Sequence, residues 1–289
     1  MTFRTRFAPS PTGPLHLGHA YSALLAHDMA VAQKGEFLLR IEDIDQTRSR
    51  PAWETQIYDD LTWLGLRWPT PVMRQSERLG VYGATLDTLW ANNLIYPCTC
   101  TRADINAALS APQEGVPTQG PDGLIYPGTC RPVRSVPQTA RPQNNVVLRL
   151  NIAAAVQSAD QQFQFIETGA GPQGEMGVVT FTGQDVITHV GDIVIARRDM
   201  GTSYHLAVVL DDAAQGISHV VRGADLFEAT KIHVVLQKLL GLPIPTYHHH
   251  KLIRDDRGKR LAKRDDARAI SLLRNNGLTV NDIRSLTMI

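Results

Sequence analysis

No run of apolar residues in this sequence approaches the length that a membrane-spanning helix needs, which is about twenty residues. Residues 2–7 include Arg4 and Arg6 and do not form the apolar core of a secretory signal. These two absences argue against a membrane protein and against an exported one. We therefore expect a cytoplasmic protein without a membrane partner.

An excess of charge of either sign is also missing. The 289 residues contain 29 Lys and Arg against 28 Asp and Glu, so the formal net charge is +1. Proteins that coat nucleic acid over much of their surface carry a clear basic excess. If this chain binds RNA, we expect it to do so through a local basic patch. The hydrophobic fraction of 43% is ordinary for a globular protein and allows a substantial core.

Cysteine is scarce, and the three cysteines are Cys98, Cys100 and Cys130. An odd number without an export signal argues against a disulfide framework. Three thiolates suit a zinc ion, but residues 28–188 contain no histidine, so a fourth ligand has to be another local group. Three unligated thiols are an alternative. From the residues alone, the candidates for a fourth ligand are Asp104, Glu114, Asp122 and a water molecule.

The beginning of the chain predicts a strand, a loop, a helix and a second strand. Residues 3–7 alternate with period two, and the prolines and glycine of residues 9–14 predict a loop. Apolar residues then recur at helical spacing from Leu17 until Gly35. The apolar run 37–41 predicts the next strand, which completes a βαβ unit with a right-handed crossover.

Later segments predict a second half of the same core. We expect a helix over residues 51–64, strands at Leu206–Leu210 and His219–Val221, and a helix from Asp225 to Leu240. Asp225 and Glu228 have the spacing of a capping box. Between about residues 96 and 141, prolines are frequent and periodicity fades, which is typical of an insertion between two halves of a nucleotide-binding core.

His16 and His19 lie at the start of the first predicted helix, three residues apart. Their imidazoles share one face beside the unpaired N–H groups of the helix start, which is a site for phosphate. Gly18 lets a nucleotide approach the backbone closely. Two histidines at this spacing also occur often by chance, so the preceding strand and loop carry much of the argument.

Two charged segments extend this nucleotide hypothesis. Glu42, Asp43 and Asp45 follow the second strand, where open α/β sheets bind ligands, although each residue alone also suits a polar loop. Residues 251–264 contain seven basic residues against two aspartates. This segment is either a solvated surface loop or a mobile loop that brings Lys263 to a polyphosphate. We discount the histidines at 248–250 as a metal site, because neighbours on an extended segment point to opposite sides.

Three motifs together resemble the catalytic core of glutamyl-tRNA synthetases, a class I family. They are residues 6–13 (RFAPSPTG), 16–19 (HLGH) and 39–43 (LRIED), and the similarity runs from Arg4 to about Arg264. The second class I signature matches only loosely, since Arg260 and Ala262 replace its usual lysine and serine while Lys263 is kept.

The resemblance implies an α/β fold: a Rossmann-type class I synthetase core with a small zinc-bearing insertion and a short C-terminal helical segment. It implies two halves of the core at residues 1–96 and 186–245. The insertion, which resembles an acceptor-binding domain, would occupy residues 97–185. Residues 246–289 would carry the mobile basic loop and the helical segment.

The same resemblance implies the site residues. Glutamate would contact Arg6, Ser10, Glu42, Tyr204 and Arg222. ATP, with Mg²⁺, would contact His16, Gly18, His19 and Lys263, of which the two histidines and the lysine would be catalytic. One structural Zn²⁺ would be held by Cys98, Cys100, Tyr126 and Cys130.

The chain ends at Ile289, soon after the basic loop, so we expect no large anticodon-binding region. With the cysteine pattern, this resembles the short members of the family, which activate L-glutamate and esterify it onto the queuosine base in the anticodon of tRNA(Asp). A truncated synthetase that charges a tRNA 3′ end is the alternative acceptor hypothesis. We expect a monomeric ligase-type enzyme.

Two further classes compete with this interpretation. A nucleotidylyltransferase also places a His-x-Gly-His pair after a strand, and a non-catalytic synthetase-like module would bind RNA without chemistry. The set of Arg6, Ser10 and Glu42 and the loop that carries Lys263 argue against the first. Loss of activity on substitution of Lys263 would distinguish an enzyme from the second.

Overall fold

The computed structural model of the chain describes residues 2–109, 117–133, 140–142, 145–159, 161–253 and 269–287. The predictions made for Glu114, Arg260, Ala262 and Lys263 lie outside the described residues.

The chain begins with the predicted βαβ unit. Strand β1 (Arg4–Phe7), helix α1 (Leu17–Ala32) and strand β2 (Glu36–Ile41) follow one another, and the two strands pair in parallel. Helix α1 buries leucine and alanine side chains against both strands. Helix α2 (Pro51–Trp63) has proline in its first turn, and the short strand β3 (Met73–Arg74) extends the sheet beside β2. The expected opening of the fold is confirmed.

The middle of the chain contains mostly antiparallel strands. Strands β4, β7 and β10 form one sheet, β5 and β6 a hairpin, and β8 and β9 another hairpin. The elements are α3 (Leu79–Ala91), β4 (Ile95–Cys98), α4 (Arg102–Leu109), β5 (Gln119–Gly120), β6 (Gly123–Leu124), β7 (Val147–Leu150), α5 (Ile152–Ala159), β8 (Gln162–Glu167), β9 (Gly177–Thr182), α6 (Gly183–His189) and β10 (Val194–Ala196).

The last part returns to parallel pairing. Its elements are α7 (Tyr204–Ala214), β11 (His219–Gly223), α8 (Ala229–Leu239), β12 (Thr246–His250), α9 (Ile270–Asn275) and α10 (Val280–Thr287). Strand β12 pairs in parallel with both β11 and β8. Strand β11 lies beside β1, where the Ser218 N–H donates to the Arg4 carbonyl at 3.0 Å. The carboxyl ends of β1, β2, β11 and β12 therefore meet at one edge of the core.

The strand predicted at Leu206–Leu210 is wrong, because these residues lie inside helix α7. Ser203 caps this helix by accepting from the Leu206 N–H. The first turns of α7 are buried on almost every side, so the sequence shows a continuous apolar run without helical periodicity. A short apolar run of this kind does not distinguish a buried strand from a buried helix.

The capping box predicted for Asp225 and Glu228 is also wrong. Residues 224–226 form a 3₁₀ turn, and α8 begins at Ala229. Glu228 occupies the cap position with helical backbone angles and makes no side-chain capping bond. The helix ends as expected, with Gly241 in the left-handed region at φ 64°.

Among the described residues, no helix is long and apolar enough to cross a membrane. The two larger clusters of buried apolar side chains in the described residues pack α1 against β1 and β2, and α7 and α8 against β8 and β12. The domain boundaries expected from the sequence remain a prediction.

Candidate active site

An open cavity of about 240 Å³ lies at the edge where the carboxyl ends of the strands meet. This is where open α/β sheets bind ligands. The cavity brings together seven of the residues predicted for glutamate and ATP. They are Arg6, His16, Gly18, His19, Glu42, Tyr204 and Arg222.

Ser10 is the described residue of the predicted set that does not line the cavity. It is half-buried in the loop between β1 and α1, where its carbonyl accepts from the Thr12 N–H. The same loop is fixed to the end of β2, because the Glu42 N–H donates to the Pro9 carbonyl at 3.0 Å. The backbone of this loop therefore lies next to the site, although Ser10 does not line the cavity.

His16 and His19 form the start of helix α1. His16 is the cap residue, and its Nδ1 accepts from the Gly18 N–H at 3.1 Å. The His16 N–H donates to Nδ1 of His19 at 3.2 Å, and the two rings stack with centroids 3.8 Å apart. Because a backbone N–H only donates, both Nδ1 atoms carry lone pairs. In the neutral rings the protons are therefore on Nε2, which makes both histidines donors suited to phosphate oxygens.

Arg6, Arg40 and Asp212 form a buried charged group beside Glu42. Arg6 Nε donates to Asp212 Oδ1 at 3.0 Å, and Arg40 donates to Asp212 Oδ1 at 2.7 Å and to Glu42 Oε1 at 3.0 Å. Burial raises the pKa of Asp212, but Arg6 and Arg40 outweigh it and the net shift is downward. Burial dominates at Glu42, whose pKa is raised despite Arg40. The charge of Arg6 is thus balanced inside the protein.

Arg222 differs from the other two arginines because its acceptors are neutral. Nε donates to His249 Nε2 at 3.1 Å, and Nη1 donates to His233 Nδ1 at 3.0 Å. Nη2 donates to Thr230 Oγ1 at 2.7 Å and to the Leu226 carbonyl at 3.2 Å. Arg222 is 6% exposed and forms no ion pair within the described part of the chain, although Glu42 and Asp225 also line the cavity.

Tyr204 is the first residue of α7, and its side chain lines the cavity with Arg222. Its ring packs edge-on against His233, with centroids 5.7 Å apart. Burial raises the pKa of Tyr204, so its hydroxyl is protonated at neutral pH and remains a donor. The alternative of a purely structural tyrosine fits the ring contacts, whereas its place in the lining favours ligand binding.

Sequence reasoning missed several residues of this site. Arg40 and Asp212 were not singled out, although an arginine inside the apolar strand at 37–41 was a signal of a buried ion pair. Ser22 and His250 line the cavity and hydrogen-bond at 2.7 Å between Oγ and Nε2. Within the described part of the chain, the histidines at 248–250 belong to no candidate metal cluster.

The cysteines form the one candidate metal cluster of the described residues. The sulfurs of Cys98, Cys100 and Cys130 lie within 4.8 Å of one another. The Tyr126 hydroxyl is 3.5 Å from the sulfur of Cys98 and 3.3 Å from that of Cys100. Arg149 packs over the Tyr126 ring at 3.8 Å. Three thiols and a phenol oxygen therefore converge on one point.

Two of the other candidates for a fourth ligand, Asp104 and Asp122, have different partners. Asp104 accepts from the Thr101 N–H at 2.8 Å, which caps α4, and Asp122 pairs with His205 Nε2 at 3.4 Å. Glu114 lies outside the described residues. The geometry thus favours Tyr126, which composition alone did not single out.

A family model described as tRNA synthetases class I (E and Q), catalytic domain, matches residues 2–286. The chain belongs to this class I tRNA synthetase family. A glutamyl-Q tRNA(Asp) synthetase of Rhodobacter capsulatus is 59% identical over 283 residues, which cover 98% of each chain. A glutamyl-Q tRNA(Asp) synthetase of Geobacter sulfurreducens is 41% identical over 95% of this chain and 79% of its own length.

Solved structures of class I synthetases resemble the chain in fold. A glutamate tRNA ligase from Elizabethkingia meningosepticum, in complex with its amino acid, superposes with a TM-score of 0.70 at 27% identity. The match covers 92% of this chain and 53% of that ligase, so the chain spans about half of its length. The glutamate-tRNA synthetase of Elizabethkingia anophelis gives a TM-score of 0.71. The predicted fold class and the ligase-type enzyme class are confirmed.

We expect Gly18→Ala to weaken ATP binding about tenfold, because small-to-large changes in tight contacts force neighbours to move. An added Cβ would lie 3.1 Å from Cε1 and 3.2 Å from Nδ1 of His16. Gly80→Ala in α3 is the matched control, since nothing lies within 4 Å of its added Cβ. Isothermal titration with a non-hydrolysable ATP analogue measures both. Equal affinities for the two variants would contradict the proposed contact.

Proposed function

We propose that this chain uses ATP to activate L-glutamate as glutamyl-adenylate and transfers the glutamyl group to the queuosine base in the anticodon of tRNA(Asp). The proposal that the chain activates glutamate rests on Arg222. A buried cation that has only neutral partners is costly until an anion joins it. Arg222 therefore suits one carboxylate of a bound dicarboxylic amino acid.

The rest of the cavity matches the other groups of glutamate. Glu42 is held by Arg40 and lines the cavity, so its carboxylate suits the ammonium group. The hydroxyl of Tyr204 fixes orientation as a donor. Glutamine would place a neutral amide at Arg222 and leave the buried charge without an anion, which is the basis for discrimination.

The adenylation step uses the histidine pair at the start of α1. The reacting carboxylate oxygen of glutamate attacks the α-phosphorus of ATP, and the bond from that phosphorus to the bridging oxygen of pyrophosphate breaks. Nε2–H donors on His16 and His19 stabilise the charge on the phosphate oxygens. Magnesium arrives with the phosphates of ATP, and we assign no protein ligand to it. Catalysis of this kind depends on positioning and electrostatics, without a protein nucleophile.

Lys263 would assist the departure of pyrophosphate. It lies outside the described residues, but both ends of its segment border the histidine side of the cavity. Leu252 and Ile253 line the cavity, and Ala269 bridges to His16 in an antiparallel contact. The Ile270 N–H donates to the Leu15 carbonyl at 2.9 Å.

The proposed acceptor rests on the similarity of the chain to glutamyl-Q tRNA(Asp) synthetases. The Rhodobacter capsulatus protein, which matches nearly the whole chain, is a glutamyl-Q tRNA(Asp) synthetase. In the second step a hydroxyl of the queuosine ring attacks the carbonyl of the adenylate. The new ester bond forms as the bond to phosphate breaks and AMP leaves.

The cytoplasmic location and the monomeric state remain predictions.

Zinc is the metal that best suits the cysteine cluster. Cys98, Cys100 and Cys130 would bind it as thiolates, and Tyr126 would supply the fourth donor. With four protein donors the ion would have a structural role. It would hold the end of β4 to the segment that follows β6.

The activation step is tested by amino-acid-dependent exchange between ATP and pyrophosphate. We expect glutamate to support exchange and glutamine not to. Arg222→Gln should raise KM for glutamate about a hundredfold, because a bond between charged groups in a buried site is lost. The exposed Arg197→Gln should behave like the wild type. Exchange driven by another carboxylate or by a nucleotide alone would favour a nucleotidylyltransferase.

The acceptor is tested with radiolabelled glutamate and three purified RNAs: tRNA(Asp) with queuosine, tRNA(Asp) without it, and tRNA(Glu). We expect label only on the first. The bond should be alkali-labile and should map to the anticodon fragment after nuclease digestion. Label at the 3′ end of tRNA(Glu) would overturn the acceptor and leave the activation step intact.

The metal site is tested by elemental analysis of purified protein. We expect about one zinc ion per chain, from the four-ligand stoichiometry of structural sites, and loss of most of it in Cys130→Ser. Tyr126→Phe should give zinc up to a chelator more readily than wild type. Tyr96→Phe is the matched control, since Tyr96 is a buried tyrosine of β4 that bonds Asp192. Equal zinc retention in the two tyrosine variants would exclude Tyr126 as a ligand.

A further inference from the structure

The two histidines that accept from Arg222 each contact a further group through their second ring nitrogen. Because a guanidinium only donates, His249 Nε2 and His233 Nδ1 must both carry lone pairs. In the neutral His249 ring the proton is therefore on Nδ1, which faces Glu167 Oε2 at 2.5 Å. Arg222 is thus linked to a carboxylate through one imidazole.

Glu167 is fixed in a buried position of its own. It is 1% exposed at the end of β8, and Oε1 accepts from the Gly169 N–H at 2.7 Å and the His249 N–H at 2.9 Å. Burial raises the pKa of Glu167, but the bonds from His249 and Gly169 outweigh it and the net shift is downward. Burial lowers the pKa of His249, which keeps the ring neutral. An ionised Glu167 therefore holds a neutral His249 in a single tautomer.

The second histidine that accepts from Arg222, His233, is also linked through its other ring nitrogen towards a carboxylate. His233 accepts at Nδ1, so its Nε2–H donates to His205 Nδ1 at 3.1 Å. His205 Nε2 then lies 3.4 Å from Asp122 Oδ1. On both sides of Arg222, neutral imidazoles thus separate the guanidinium from a carboxylate.

We propose that Glu167 and His249 are positioning residues that hold Arg222 in place for the side-chain carboxylate of glutamate without neutralising its charge. The proposal deepens the proposed function and rests on it. A carboxylate in direct contact with Arg222 would orient it equally well but would compete with the substrate. The His249 imidazole lies between the two groups and accepts the Nε–H of Arg222. Glu167 fixes the His249 tautomer in which Nε2 can accept.

Glu167→Gln tests the proposal sharply, because two backbone N–H groups decide how the amide lies. Gly169 and His249 donate to the Oε1 position, so the amide oxygen of glutamine takes that place. Its NH₂ group then faces His249 Nδ1 and donates to it. The ring is forced to carry its proton on Nε2, where it opposes the Nε–H of Arg222.

We expect this variant to raise KM for glutamate in the exchange assay about ten- to a hundredfold, since a buried donor loses its acceptor. KM for ATP and kcat should stay close to wild type. Asp192→Asn is the matched control, since Asp192 is also buried and accepts from a backbone N–H, that of Ile152, yet does not line the cavity. It should leave both KM values unchanged.

The tautomer itself is read by NMR on protein labelled with ¹⁵N-histidine, with His249→Gln used to assign the signal. The wild type should show Nδ1–H at His249, and Glu167→Gln should show Nε2–H. A double variant adds a second check: in the His249→Gln background, Glu167→Gln should have little further effect on KM for glutamate. Additive effects would mean that Glu167 acts by another route.

The possible results distinguish failure of the proposed function from failure of the positioning role of Glu167 and His249. If the wild type shows no glutamate-dependent exchange, the proposed function fails, while the NMR signal still tests the tautomer. If exchange is normal but His249 keeps Nδ1–H in Glu167→Gln, or KM for glutamate does not change when the tautomer does, the positioning role is overturned. Equal rises in KM for glutamate and ATP would indicate a structural defect and would also overturn it.

Discussion

The site depends on how buried positive charge is balanced. Arg6 and Arg222 line the cavity, Arg40 is fully buried, and an unpaired ion in a protein interior costs several kcal/mol. Arg6 and Arg40 share the carboxylate of Asp212, and Arg40 also pairs with Glu42, so carboxylates of the chain itself compensate their charge. Arg222 has hydrogen-bond acceptors but no ion-pair partner in the described part of the chain, and in the proposed function the acidic substrate would supply the anion.

This balance requires residues from distant parts of the chain, and the parallel strands bring them together. Glu42 follows β2, Arg222 lies in β11 and His249 in β12, and all three reach the same edge because the strands run in one direction. The βαβ unit was predictable from local periodicity. The pairing of Arg40 with Asp212 was not, because it joins residues 172 positions apart and neither has a local pattern. The buried run at Leu206–Leu210 was misassigned for a related reason: complete burial removes the periodicity that identifies a helix.

The metal cluster shows a different limit of sequence reasoning. The three cysteines indicated a site, but several oxygen donors were equal candidates by chain position alone. The folded arrangement separates them, because Asp104 caps a helix and Asp122 pairs with His205, while the hydroxyl of Tyr126 faces the sulfurs. The resemblance to the synthetase family implied Tyr126 as the fourth zinc ligand. The position of its hydroxyl beside the sulfurs gives a physical reason for that role.

In the proposed site, discrimination between glutamate and glutamine would follow from charge and not from shape. The amide oxygen of glutamine can also accept a hydrogen bond from a guanidinium, although the bond to a carboxylate is stronger, so donor geometry at Arg222 alone does not exclude glutamine. What differs is the free energy of leaving a buried cation without an anion. Direct contact between Glu167 and Arg222 would supply that anion from the chain and would weaken the discrimination. In the proposed arrangement His249 separates the two groups, so the specificity would depend on a residue that touches neither substrate.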